Sequence, residues 1–258
     1  IKKSFEMIMK ASVEIRDLNH VFGQHIALNN INISIPQATF VSIVGPNGGG
    51  KTTLIKCMLG LIEPMRGSIL INGNAPRSVP AKEIGYVPQI KTLDRTFPAY
   101  SIELVATGIL NGWPGKINDE TREKCCEALN AAGAKHLEKR QLNQLSGGEL
   151  QRVYFARSIV RKPKILILDE PATGIDITAE NDMNLIIDDY KEEHDAIVIM
   201  VTHDWESAYH HADKVLMLNI DQICYDKPEI AFSEENMRKV FGHVGHAHDI
   251  LFKGGNRV

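Results

Sequence analysis

The chain has 258 residues, a formal net charge of −3 and 43% hydrophobic residues. That is enough apolar mass for a large core without disulfide staples, and the slight acidity gives no global attraction to nucleic acid. No apolar run approaches the roughly 20 residues that a membrane-spanning helix requires, and Cys57, Cys125, Cys126 and Cys224 show no paired spacing, which points to reduced thiols in a reducing compartment.

Residues 1–10 lack the apolar core and cleavage site of a signal peptide and are expected to be a tag or a disordered start, with a single domain over 11–258. Val13–Leu18 and Asn32–Ile35 alternate apolar and polar residues, as half-exposed strands near an antiparallel edge do. Phe40–Val44 is a continuous apolar strand, followed by a glycine-rich loop and a helix over Leu54–Leu61. Ser68–Ile71 ends at Asn72-Gly73, a hairpin turn signal. Ile84–Val87 is strand-like, and helical periodicity then takes over in Ser101–Leu110, Glu120–Ala132 and Gly147–Val160, broken at Gly112–Gly115. A helical subdomain is therefore expected over about 97–161. Strands Ile165–Leu168, Ala196–Val201 and Val215–Leu218 alternate with helices Ala179–Tyr190 and Trp205–His211, the pattern of a parallel sheet buried on both faces. From Pro228 on the chain is helical and polar in parts.

The loop Gly45-Pro46-Asn47-Gly48-Gly49-Gly50-Lys51-Thr52-Thr53 fits G-x-x-x-x-G-K-[ST] in the strand–loop–helix context that motif needs. Small residues let the backbone fold around a polyphosphate with its N–H groups pointing inward, and the helix N-terminus adds partial positive charge. Lys51 is placed to reach the β- and γ-phosphates, and the Thr52 hydroxyl to help hold Mg²⁺. Asp169-Glu170 closes the strand Ile165–Leu168, at the sheet edge where open α/β folds bind ligands. Asp169 is the expected Mg²⁺ ligand, and Glu170 the group that polarises a water for in-line attack. His203, after the strand Ala196–Val201, is in position for the γ-phosphate, and Gln89, after Ile84–Val87, for the metal or its waters.

Together these residues resemble the ATP-binding cassette (ABC) family from about Val13 to Asp226. Leu145-Ser146-Gly147-Gly148-Glu149 is similar to the family signature, with Glu149 where Gln is more usual. The resemblance implies an α/β fold: a P-loop NTPase core of mostly parallel sheet, an antiparallel β edge subdomain and an inserted helical subdomain. It further implies that two copies pack head to tail as an ATP-dependent homodimer, so that Ser146, Gly147 and Gly148 of one copy face ATP held by the other. Phe22 sits where the family places an aromatic against adenine. Asp176, in Ala172-Thr-Gly-Ile-Asp176, matches the loop that touches the opposite site, although Gly174-Ile175 departs from the commoner residues there.

The function implied is Mg²⁺-dependent ATP hydrolysis by a cytoplasmic subunit, peripheral on the inner face of the membrane, that powers import through separate membrane permease subunits. An extracytoplasmic solute-binding protein is an expected partner, and nucleic acid is not. The segment Ile90–Leu110 lies where the family docks a permease helix; Leu93, Phe97 and Tyr100 suit that groove or, equally, the helical subdomain's core. Gly85-Tyr-Val-Pro-Gln89, Gly174-Ile-Asp176 and the tail with His243, His246 and His248 are most similar to ATPase subunits of zinc and manganese importers. ATPases of other small-solute or cofactor importers are close rivals, and those three histidines fit no structural zinc spacing. A soluble ABC ATPase acting on nucleic acid or ribosomes is the remaining alternative, opposed by the short span from Gln89 to Leu145 and by the single cassette.

Overall fold

The computed structural model describes residues 13–89, 98–110, 112–171 and 176–242. They fall into two compact units, one drawn from residues 1–79 and 201–258, the other from 80–200. In the first, β1 (Val13–Phe22) and β2 (His25–Ile35) form an antiparallel hairpin. Val13, Ile15, Leu18, Ile31, Ile33 and Ile35 are buried while polar residues between them face water, so the expected half-exposed strands are present and longer than the alternation alone marked. β3 (Phe40–Val44) is buried throughout and leads through the glycine loop into α1 (Lys51–Met58). That helix stops short of Leu61 because Gly60 turns left-handed, with φ at 70°. β4 (Arg66–Ile71) pairs antiparallel with β1. Asn72 and Gly73 both take positive φ, and Ile71 and Asn74 exchange two backbone hydrogen bonds across them. The expected turn thus closes, but its second strand shrinks to one bridging residue because Pro76, heading a short 3-10 turn, has no N–H to continue a ladder.

The second unit contains β5 (Ile84–Val87), α2 (Ser101–Ala106), α3 (Asp119–Ala131), α4 (Gly147–Ile159), β6 (Ile165–Asp169), α5 (Ile177–His194) and β7 (Ile197–Val201). β5 and β6 run parallel with Val87 opposite Leu168, and β7 is the other neighbour of β6. The three helices between β5 and β6 bury Val105, Leu129, Val153 and Phe155. Arg157 on α4 donates from Nε to the Thr107 hydroxyl at 2.7 Å, and Arg152 pairs with Asp182 of α5 at 3.0 Å. α2 is shorter than its periodicity predicts, because the Thr107 hydroxyl donates to the Leu104 carbonyl and ends the turn.

The chain then returns to the first unit as α6 (Trp205–His211), β8 (Lys214–Asn219), β9 (Asp221–Asp226), α7 (Pro228–Ala231) and α8 (Glu234–Phe241). The sheet order in this unit is β4-β1-β2-β9-β8-β3. β8 lies parallel to β3, and β9 runs antiparallel to β8 while meeting β2 in parallel at Asn29–Asp221. β9 is therefore the splice between the antiparallel hairpin and the parallel core. The α/β class with an antiparallel edge is as the sequence predicts; β9 itself was not anticipated, since Asp221, Gln222 and Asp226 break any apolar run. None of the described helices is long and apolar enough to cross a membrane. The four cysteines are free thiols, and burial pushes Cys57 and Cys125 up to about 11.

Asp213 fixes the start of β3 against β8: its carboxylate accepts from the buried Phe40 N–H at 2.7 Å, and its own N–H donates to the Phe40 carbonyl. Asp213→Ala is expected to lower unfolding free energy by about 1–3 kcal/mol, the cost of an unsatisfied buried donor. Urea denaturation with an unchanged m-value is the measurement.

Candidate functional site

The glycine loop in the first unit is wedged between two strands. A methyl group at Gly45 would overlap the Leu218 carbonyl at the end of β8, and one at Gly49 would lie 2.9 Å from the same oxygen. The Gly49 carbonyl in turn accepts from the Ile220 N–H at 3.0 Å. On the other side Gly50, at φ 94°, packs against the Ala27 carbonyl and the Leu28 side chain of β2. Glycine at 45 is thus required by proximity, and at 50 by both proximity and backbone conformation. Gly50 precedes α1, so the amides of Lys51, Thr52 and Thr53 lie in a first turn with no intrahelical acceptors. Lys51 is buried, and its ammonium donates to the carbonyls of Gly45 and Pro46 at 2.8 and 2.9 Å. Those bonds hold its charge over the loop. Amides of a helix start, a fixed ammonium and a hydroxyl at Thr52 make an anion cradle with an oxygen donor at its edge.

Two further residues of this unit were expected beside the cradle. The Thr202 N–H donates to the Ile43 carbonyl at 3.3 Å, so His203 leaves at the end of β3 where the loop begins, and it is exposed. Phe22 ends β1 and is 49% exposed. It pairs with His25, two residues before Ala27, whose carbonyl abuts Gly50. With about 3.3 Å per strand residue and about 4.8 Å between strands, the Phe22 backbone lies roughly 8 Å from that of Ala27.

The second unit carries the acidic residues. Asp169 closes β6 and is buried, whereas Glu170, one residue on, turns left-handed at φ 52°. Gln89, beyond the end of neighbouring β5, donates from its side-chain amide to the Glu170 carboxylate. The structure thus brings Gln89 and Glu170 together across 81 residues of sequence. Tyr86 on β5 has its phenol pushed up, first by burial and then by the Asp169 charge. Carboxylate, amide carbonyl and hydroxyl oxygens are the donors a hard cation such as Mg²⁺ takes.

Ser146 caps α4, with Gly147 and Gly148 in its first turn. The Ser146 hydroxyl accepts from the Glu149 N–H at 3.3 Å, and the Glu149 carboxylate accepts from the Ser146 N–H at 2.8 Å, a complete capping box. Glu149 is therefore structurally employed where the family more often has Gln. Asp176 caps α5 by accepting from the Ala179 N–H at 3.0 Å and is exposed. Tyr100 is exposed too, at the start of α2. His210 is exposed and His211 half-buried on α6. Leu93, Phe97, Ala172 to Ile175, and His243, His246 and His248 lie outside the described residues.

A buried strand, a glycine loop seated on neighbouring strands and a helix starting at Lys51 define a phosphate-binding P-loop protein. Residues 28–173 match the ABC transporter family. The chain belongs to that family and is an ATPase of it. It is 35% identical over 230 residues to the zinc import ATP-binding protein ZnuC of Pasteurella multocida, covering 89% of this chain and 81% of that one. It shares 27% identity and a TM-score of 0.76 with CbiO1 of Clostridium perfringens, part of the CbiONQ ABC transporter complex, over 93% and 99% of the two chains. An ATP-binding cassette solved as a dimer in a post-hydrolysis state, with ADP and phosphate bound, is 26% identical at a TM-score of 0.72, covering 84% of this chain and 98% of that one.

Sequence reasoning missed the groups that seat the loop, namely Ala27, Leu28, Leu218 and Ile220, and it missed the Gln89–Glu170 bond. No local signal marks them, since each acts across strands. The capping box also has a pH signature. Hydrogen bonding to the Ser146 backbone, ahead of any other cause, holds the Glu149 carboxyl below its ordinary value. A depressed folded-state pKa contributes stability that is present above the unfolded value and lost as pH falls through the folded one. Wild type should therefore be more stable than Glu149→Gln near neutrality, with the gap closing once the pH falls below the ordinary carboxylate range; paired thermal melts from pH 7 to pH 3.5 would show it.

Proposed function

We propose that this chain is the ATPase subunit of a zinc or manganese import system. It works on the inner face of the membrane as an ATP-dependent head-to-tail homodimer, bound to separate permease subunits and supplied by an extracytoplasmic solute-binding protein. The observation that carries the reading is the seated phosphate loop in a chain 35% identical to ZnuC over 89% of its length. The dimeric cassette and the CbiONQ assembly to which CbiO1 belongs support the partner assignments.

In this reading the amides of Gly45 to Thr53 and the Lys51 ammonium hold the β- and γ-phosphates, and Phe22 stacks on the base. Thr52, Gln89 and Asp169 hold Mg²⁺, which when bound offsets the phosphate charge. Glu170 orients and polarises the attacking water, and its hydrogen bond from Gln89 keeps the carboxylate in one orientation. His203 contacts the γ-phosphate. Ser146, Gly147 and Gly148 offer a hydroxyl and helix-start amides to ATP held by the second copy, and Asp176 meets the opposite site.

Glu170→Gln is expected to bind ATP with near wild-type affinity while losing about two or more orders of magnitude in kcat. Isolated from its native membranes in mild detergent with ATP, it should bring down a polytopic membrane protein. Cells relying on the variant should also fail to accumulate radiolabelled zinc or manganese. Recovery of ribosomes or DNA with no membrane protein would contradict the transporter assignment.

A further inference from the structure

His20 is a buried imidazole that no part of the proposed chemistry uses. It is 8% exposed, and its Nδ1 has no hydrogen-bond partner. Its ring stands against Phe22, with centroids 4.6 Å apart and planes at 75°. Residues two apart on a strand share a face, so the exposed Phe22 ring is backed by a ring sunk in the sheet. The register of the hairpin shifts on both sides of His20, between Leu18 and His20 and again between His20 and Val21. Such irregularities re-aim side chains near functional sites. Across the ladder, His20 pairs with Leu28. The Leu28 side chain packs against Gly50 of the phosphate loop. His20 thus contacts the exposed aromatic of its own strand, while its ladder partner Leu28 is the one that meets the phosphate loop.

We propose that His20 is a positioning residue for nucleotide binding: its ring braces Phe22 perpendicular to itself and holds the aromatic face presented to the base. The proposal rests on Phe22 being the base-stacking side chain. An edge contact between rings restricts the Phe22 ring without touching ATP, so the ordering is complete before the nucleotide arrives. The unpaired Nδ1 makes no hydrogen bond that the brace depends on, so shape and ring character carry the effect.

The test is equilibrium binding of Mg²⁺–ATP and of inorganic tripolyphosphate to the full chain, with kcat at saturating ATP and melting temperature as companions. His20→Leu should weaken ATP binding by about two- to tenfold, the range of an aromatic pair contact, while tripolyphosphate affinity and kcat stay at wild-type values. His20→Phe, which keeps a ring, should restore ATP affinity. In a Phe22→Ala background, His20→Leu should add nothing. Equal weakening of tripolyphosphate, failure of His20→Phe to rescue, or full additivity with Phe22→Ala would overturn the brace. If Phe22→Ala alone leaves ATP affinity unchanged, the base-stacking assignment fails instead, a result separable from weak His20→Leu coupling.

Discussion

The packing of the glycine loop against the ends of β8 and β2 is the constraint on which the site depends. Leu218 offers a carbonyl where only glycine fits, and Ile220 donates its N–H to the loop at Gly49. Ile220 does so at φ 63°, an unfavourable conformation for a β-branched residue. Its carbonyl accepts from the Asn29 N–H of β2 at 2.9 Å, so both of its backbone groups are committed to neighbours. The tight β8–β9 turn thereby ties the loop to β2. Backbone, rather than side chains, sets the shape of the cradle, and Lys51 contributes its charge from a fixed anchor on the loop carbonyls.

The same economy recurs where helices begin. Ser146 and Asp176 both serve as N-caps, each accepting a backbone N–H three residues ahead. A residue that caps a helix is held in place by the helix it starts, and the amides behind it carry partial positive charge. Glu149 completes the box at Ser146 in the acceptor role that Gln can also fill at the N3 position, and its charge strengthens that bond near neutrality. This is why a departure from the family's usual residue leaves the signature helix properly begun.

How much of this was legible depended on the range of each interaction. The phosphate loop could be read directly, because its glycines, lysine and threonines are contiguous and lie between a strand and a helix that periodicity identifies. β3, β5 and α6 match their expected bounds for the same reason: each is a short element with clean ends. Element lengths failed where a local device intervened, as with Gly60 after α1 and the Thr107 hydroxyl after α2. β9 was invisible because a strand that splices two kinds of pairing needs no uniform apolar face. The Gln89–Glu170 bond and the seat formed by Leu218 and Ala27 join residues far apart in sequence, so only the folded chain discloses them.

The most direct test of the account is calorimetric titration of Mg²⁺–ATP into wild type and Gly50→Ala. A methyl group there must intrude on the Ala27 carbonyl at a backbone φ that side chains rarely tolerate. The account predicts that ATP affinity falls by about tenfold or more, with the far-ultraviolet circular dichroism spectrum unchanged. Equal affinity in the two proteins would contradict it, because the cradle would then not depend on its seat between β8 and β2.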